Sequence, residues 1–158
     1  MPLTINLRPK ERLIVNGVVI ENSGQSAKLL VHNTAALLRE KDILTEEQAS
    51  TPARRIYFAI QCEYLFPGKE AVLLPIIYEF ITEFAAAAPS ATALARQITE
   101  LVELRDWYRA LKTAKQLIAR EQEILNESGG QAISETAGGG QSGPDGSLGA
   151  DRDGAGAA

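Results

Sequence analysis

A chain of 158 residues fits one ordinary domain, or a small subdomain fused to a second. A hydrophobic content of 45% argues against global disorder, the single cysteine rules out a disulfide framework within the chain, and no run approaches the roughly 20 apolar residues that span a bilayer. The net charge of −4 argues against a nucleic-acid protein only as an average, because residues 1–41 carry +3 and residues 128–158 carry −3.

The N-terminus has neither the basic lead nor the apolar stretch of a signal peptide, so a cytoplasmic, soluble chain is expected. Leu3, Ile5 and Leu7 alternate with polar residues, the period of a half-buried strand. Arg12–Val15 and Val18–Ile20 flank Asn16-Gly17. That dipeptide tolerates the two positive φ angles of a type I′ turn, so a hairpin is predicted. Asn22–Gln25 reads as a further turn and Lys28–Val31 as the last strand, which together make a β-meander too short to bury a core of its own. Both faces of the hairpin are apolar, so it must pack on the helices or on a second copy; the oligomeric state stays open, with these faces favouring a homodimer.

The middle of the chain reads as helices. Thr45 and Gln48 have capping-box spacing and open a short helical turn. Thr51-Pro52 is a cap with proline at the first helical position, which predicts a helix over 52–65 that Pro67-Gly68 ends. A second helix is predicted over 70–87, with Pro75 near its start, and Ser90 is the expected cap of the next. From Ala91 to Asn126 the pattern is amphipathic, with Leu101, Leu104, Tyr108, Leu111, Ile118 and Leu125 on one face. A break near Leu104–Asp106 divides it, since a 36-residue helix is improbable in a small domain. Residues 128–158 hold ten of the thirteen glycines and little that is apolar, and read as a disordered tail. The expected architecture is therefore α+β: a β-subdomain over 1–44 packed on a bundle of about four helices over 45–127.

Catalysis needs titratable or metal-binding groups that converge. His32 is the only histidine and closes an apolar strand, and Cys62 sits in a helix where a small hydrophobe belongs. Glu46-Glu47 are favoured by a helix N-terminus without forming an acid–base pair. No enzyme, metal or cofactor is expected. Binding remains. Arg8, Lys10 and Arg12 lie where the first strand hands over to the second, and Arg39 and Lys41 lie past the last strand; with Lys28 they are the candidate RNA contacts. If the sheet gathers its ends, these cations share one edge able to neutralise phosphates; the competing reading is a solvated rim of charge. No aromatic residue lies in this region to stack a base. Arg105, Arg109, Lys112 and Arg120 form a second stripe, read as the outward face of an amphipathic helix.

Glu11-Arg12, Asn16-Gly17, Val19-Ile20, Leu38-Arg-Glu-Lys-Asp-Ile43 and Thr51-Pro52-Ala-Arg54-Arg-Ile-Tyr57-Phe58, in this order and spacing, resemble the FlbT family of bacterial flagellar regulators from Leu3 to about Asn126. The resemblance implies a post-transcriptional regulator that binds the 5′ untranslated region of flagellin mRNA, limits its translation or promotes its decay, and works beside a FlaF-like flagellar protein. Residues 3–43 are also similar to the carbon storage regulator family, whose small β proteins bind leader RNA. By position Arg8 and Arg39 match that family's contacts, while Lys10 stands where it has glycine, and Pro9 is an addition. The alternative is a protein–protein adaptor whose helical region, with Trp107 and Tyr108 on one edge, binds the FlaF-like partner or flagellin.

Overall fold

A computed structural model describes residues 2–137, with side chains described through residue 129. The chain divides into two compact units, residues 1–124 and 125–158. Five strands come first: β1 (Leu3–Leu7), β2 (Arg12–Val15), β3 (Val18–Glu21), β4 (Ala27–Val31) and β5 (Leu37–Arg39). A 3₁₀ turn at Glu40–Asp42 leads to four helices, α1 (Pro52–Leu65), α2 (Glu70–Ala87), α3 (Thr92–Glu103) and α4 (Trp107–Ala137). The class is α+β, as expected.

The strands do not pair as a meander. β1 pairs with β4, and a separate sheet runs β3-β2-β5, all antiparallel. The hairpin turn is as read, with Asn16 at φ 51 and Gly17 at φ 84. A Cβ at Gly17 would also come within 2.8 Å of the Phe66 ring, so glycine is required there twice over. The strand β5 escaped the sequence reading. It sets the register, because Leu13 faces Arg39 and Val15 faces Leu37 across the ladder. The expectation that the β-part buries nothing of its own is corrected as well. Ile5, Leu7 and Leu13 are buried together, with Val15, Leu29, Val31 and Leu37 packed around them, so the apolar faces of the two sheets enclose a small core. The other face of β2 and β5 contributes Ile14 and Leu38 to the main core, beside Ile56 and Ile60 of α1 and Ile98 of α3.

The helices follow their local signals. Thr45 and Gln48 exchange the two bonds of a capping box, at 3.0 and 3.3 Å. Thr51 caps α1, its hydroxyl accepting from the Arg54 amide at 3.3 Å. Ser90 is not the cap of α3. Pro89 opens a 3₁₀ turn, α3 starts at Thr92 without a side-chain cap, and the Ser90 hydroxyl instead accepts from Arg120 at 3.3 Å. The break between α3 and α4 is a Schellman motif: Arg105 takes φ 60, its amide bonds Val102 O, and the Asp106 amide bonds Leu101 O. Asp106 then caps α4 through the Arg109 amide.

α4 extends to Ala137, beyond Asn126 where its end was expected. Glycine in a helix interior costs only about 1 kcal/mol relative to alanine, so Gly129 and Gly130 do not by themselves stop it. The rest of the expected disordered tail, residues 138–158, lies outside the described residues. No helix among the described residues is long and apolar enough to cross a membrane.

Candidate nucleic-acid interface

The turn Arg8-Pro9-Lys10-Glu11 joins the two sheets. The Glu11 amide bonds Arg8 O at 3.1 Å, and Lys10 sits at φ 67, the left-handed position a type II turn needs after proline. Asn22 clamps this turn from across the β2–β3 ladder, its side-chain amide donating to Leu7 O and Arg8 O at 3.0 and 3.1 Å. Lysine in the left-handed region is strained by about 1 kcal/mol relative to glycine.

Antiparallel pairing of β2 with β5 places the start of one beside the end of the other. The turn before β2 therefore meets the 3₁₀ turn after β5. Between them lies a groove of about 530 Å³ lined by Arg8, Lys10, Glu11, Arg39, Glu40 and Lys41, with Pro9 at its edge. Four of the six expected RNA contacts, from sequence positions some thirty residues apart, are thus brought together. Arg12 and Lys28 are not among them. Arg12 stands opposite Glu21 in the β2–β3 register and pairs with its carboxylate at 3.1 Å. Lys28 is exposed opposite Asn6, on the outer face of the β1–β4 sheet.

Within the groove the cations differ. Arg39 is held: its guanidinium donates to Asn6 O and pairs with Glu11 at 3.1 Å, while its buried Nε has no partner among the described residues. Arg8, Lys10 and Lys41 make no ion pair among the described residues. The two carboxylates are also in use. Glu40 accepts from the Arg12 amide at 3.3 Å, and Glu11 accepts from the Arg8 amide at 2.8 Å besides Arg39. Glu11, which charge counting treats as a subtraction from the basic patch, is the residue that organises it.

The Arg8 amide is the main influence holding the Glu11 carboxyl below the ordinary glutamate value, against partial desolvation and with help from Arg39. A depressed folded pKa adds stability above the unfolded value and loses it as pH falls through the folded one. In Glu11→Gln, therefore, the acid-side loss of stability below the ordinary glutamate range is expected to be shallower than in the parent. Thermal melts across the acid range check this; superimposable acid limbs would remove Glu11 from the account.

The second basic stripe is largely neutralised by its own surroundings. Arg105 pairs with Glu70, Arg109 with Asp106 and Arg120 with Glu123; Lys115, outside the stripe, pairs with Asp42. Lys112 instead lies 4.8 Å from the ring centroid of Tyr108. Of the proposed partner contacts, Trp107 is partly buried against the main core, whereas Tyr108 is 47% exposed with its ring 6.0 Å from that of Tyr64. Cys62 is half-buried on α1, where burial pushes its thiol up and disfavours the thiolate. Among the described residues no group of three or more His, Cys, Asp and Glu side chains could hold a metal ion.

The family model described as flagellar protein FlbT matches residues 3–125. A probable flagellum biosynthesis repressor protein FlbT 1 of Bradyrhizobium diazoefficiens is 38% identical over 128 residues, which cover 80% of this chain and 87% of the relative. A probable flagellum biosynthesis repressor protein FlbT of Rhodopseudomonas palustris is 37% identical, over 80% of this chain and 99% of its own length. The flagellum biosynthesis repressor protein FlbT of Caulobacter vibrioides is 35% identical, over 79% and 90%. No solved structure matches. A family match spanning both sheets and the helices through Leu125, with relatives above 30% identity along most of their own lengths, means that the chain belongs to the FlbT family of flagellar proteins.

Proposed function

We propose that this chain is a post-transcriptional repressor of flagellar genes that holds the 5′ untranslated leader of flagellin mRNA in the groove between the Arg8–Glu11 turn and the Glu40–Asp42 turn. The relatives' names, flagellum biosynthesis repressor, support the regulatory half of this reading. One observation supports the RNA half. Arg8, Lys10 and Lys41 are free of ion pairs among the described residues and share one groove, while three of the four cations of the second stripe, Arg105, Arg109 and Arg120, are paired. Free cations are the ones that can trade solvent counterions for phosphates. Bound leader would obstruct the ribosome or expose the message to decay. The reaction class is binding, with no bond made or broken.

The test is a gel-shift titration of a flagellin leader transcript at several salt concentrations. Each phosphate neutralised on a single strand contributes about 0.7 to the fall of log affinity with log salt, so three free cations give a slope of about −2 or steeper. A flat salt response would point away from phosphate contacts.

A second reading is supported by a different surface. β3 is an edge strand, and its Val18, Val19 and Ile20 are 62%, 59% and 42% exposed. An apolar edge with unpaired backbone groups suits strand addition by a protein. Under this reading the chain is an adaptor for a FlaF-like partner or flagellin, or pairs with a second copy of itself, and complex formation is insensitive to salt.

A further inference from the structure

Lys41 has a second environment. Besides the groove on its sheet side, it lines a neighbouring hollow of about 270 Å³ together with Asp42, Gln48, Arg54, Tyr57 and Lys115. That hollow shares Asp42, Tyr57 and Lys115 with a third, of about 170 Å³, lined also by Tyr108 and Lys112. The three are therefore consecutive. They lead from the sheet groove, over the 3₁₀ turn, to the exposed face of α4.

Beyond the groove, whose lining includes Glu11 and Glu40, the charge along this route is mainly positive. Among the described residues Asp42 is the only carboxylate lining the two further hollows, and Lys115 pairs with it. Lys41, Arg54 and Lys112 remain without an ion pair among the described residues. At the far end stands Tyr108, 47% exposed, with the Lys112 ammonium over its ring at 4.8 Å from the centroid and the Tyr64 ring 6.0 Å away. Cations following one another across separate hollows suit an extended polyanion better than a compact one, and an aromatic ring at the end of such a row suits a planar base. Lys41 and Arg54 share one hollow and Lys112 lines the next, so a lone anion held at one point would leave one of the three unused.

We propose that the nucleic-acid path continues beyond the groove, with Arg54 and Lys112 neutralising a second stretch of the same strand's backbone and Tyr108 meeting an unstacked base. This rests on the reading of the groove as an RNA site and extends it onto the helices. It also supplies the aromatic contact that residues 1–41 lack. Phosphate contacts position a strand without reading its sequence. The second stretch is accordingly expected to add affinity to any unstructured RNA long enough to reach it.

The experiment uses the full chain and two fluorescein-labelled oligouridylates, one of about 5 nucleotides and one of about 16, lengths that bracket ordinary single-strand sites. For Arg54→Gln with Lys112→Gln, binding of the longer RNA is expected to weaken about tenfold, and its salt slope to shrink by about 1.4, two contacts at about 0.7 each. Binding of the shorter RNA, which fits within the groove, stays unchanged. Tyr108→Ala is expected to weaken only the longer RNA, and Tyr108→Phe to restore it. Three results would overturn the proposal. The longer RNA could bind the Arg54/Lys112 variant with parental affinity and slope while groove variants lose binding; the path then ends in the groove and the RNA reading stands. The variant could lose both lengths equally, which places no distinct second stretch on the helices. Groove variants could keep parental affinity for both lengths, in which case the RNA reading itself fails and this extension with it. Matching melting temperatures of all variants confirm that each comparison is made on folded protein.

Discussion

Alanine at Arg8, Lys10 and Lys41 together is expected to weaken binding of flagellin leader RNA about a hundredfold or more while leaving the melting temperature nearly unchanged. None makes an ion pair among the described residues, and all three are exposed, so removing them breaks no ion pair of the fold. In a complex each would make a charge-assisted contact to phosphate. At about 1 kcal/mol apiece, three such contacts amount to a factor of about 100 in affinity. Arg39 is left intact by design. Its guanidinium ties Asn6 O and Glu11 together, so truncation there would damage the groove and the ligand contact at once. A single substitution sharpens the comparison. Lys10 adopts φ 67, and Lys10→Gly is expected to raise stability by about 1 kcal/mol by relieving that strain, while lowering RNA affinity. Opposite signs in the two measurements would tie the strained lysine to binding. A triple variant with parental affinity in the gel shift would remove the groove as the RNA site.

The parts of the fold that the sequence made legible are those decided within a few residues. Asn16-Gly17 specifies its turn because few other pairs tolerate two positive φ angles, and the hairpin forms where expected. Thr51-Pro52 and the Leu104–Asp106 break are similarly local, each settled by caps and hydrogen bonds within one turn. What stayed hidden is long in range. β5 is only three residues, too short to show an alternating pattern, and it exists because β2 offers an edge more than twenty residues earlier. Yet β5 is what carries Arg39 and Lys41 to Arg8 and Lys10. The sequence alone thus gathers Arg8, Lys10, Arg39 and Lys41, with Arg12 wrongly among them, and gives no sign of the pairing that brings the four together. Arg12 and Lys28 show the limit of counting charges along a chain. Register alone places Arg12 opposite Glu21, and Lys28 on the far face of the other sheet. Tyr108 was singled out as a protein contact, and only the tertiary fold sets it at the end of a row of cations that begins in the β-part.

Glu63→Ala is expected to destabilise the protein by about 2–3 kcal/mol. Glu63 is 2% exposed near the end of α1, a position where the helix dipole disfavours a negative charge. Its carboxylate serves the next helix instead. One oxygen accepts from the Gly68 amide at 3.0 Å and the other from the Lys69 amide at 3.1 Å. Lys69 is the N-cap of α2 and offers no side-chain cap of its own, so Glu63 neutralises an otherwise bare helix start from outside it. Glu121 of α4 repeats the device at α1, accepting from the Ala53 amide at 3.0 Å. Hydrogen bonds to a charged group are worth about 1.5–3 kcal/mol each, and the total here is discounted because Gly68 and Lys69 are exposed and their amides can turn to water. Glu63→Gln keeps one acceptor and is expected to lose about half as much. The loop concerned also carries Phe66, whose ring lies against Gly17 of the hairpin. Loosening it should therefore speed amide exchange at Gly68 and Lys69 and also in β2–β3, while exchange in α4 stays slow. Denaturant melts of Glu63→Ala within about 0.5 kcal/mol of the parent, inside the range of ordinary surface substitutions, would mean that water replaces the carboxylate without loss. Protection unchanged in the hairpin would mean that the Phe66 loop contributes nothing to joining the helices and the sheet, leaving the Ile14 and Leu38 packing and the Tyr64 hydroxyl on Leu37 to do so.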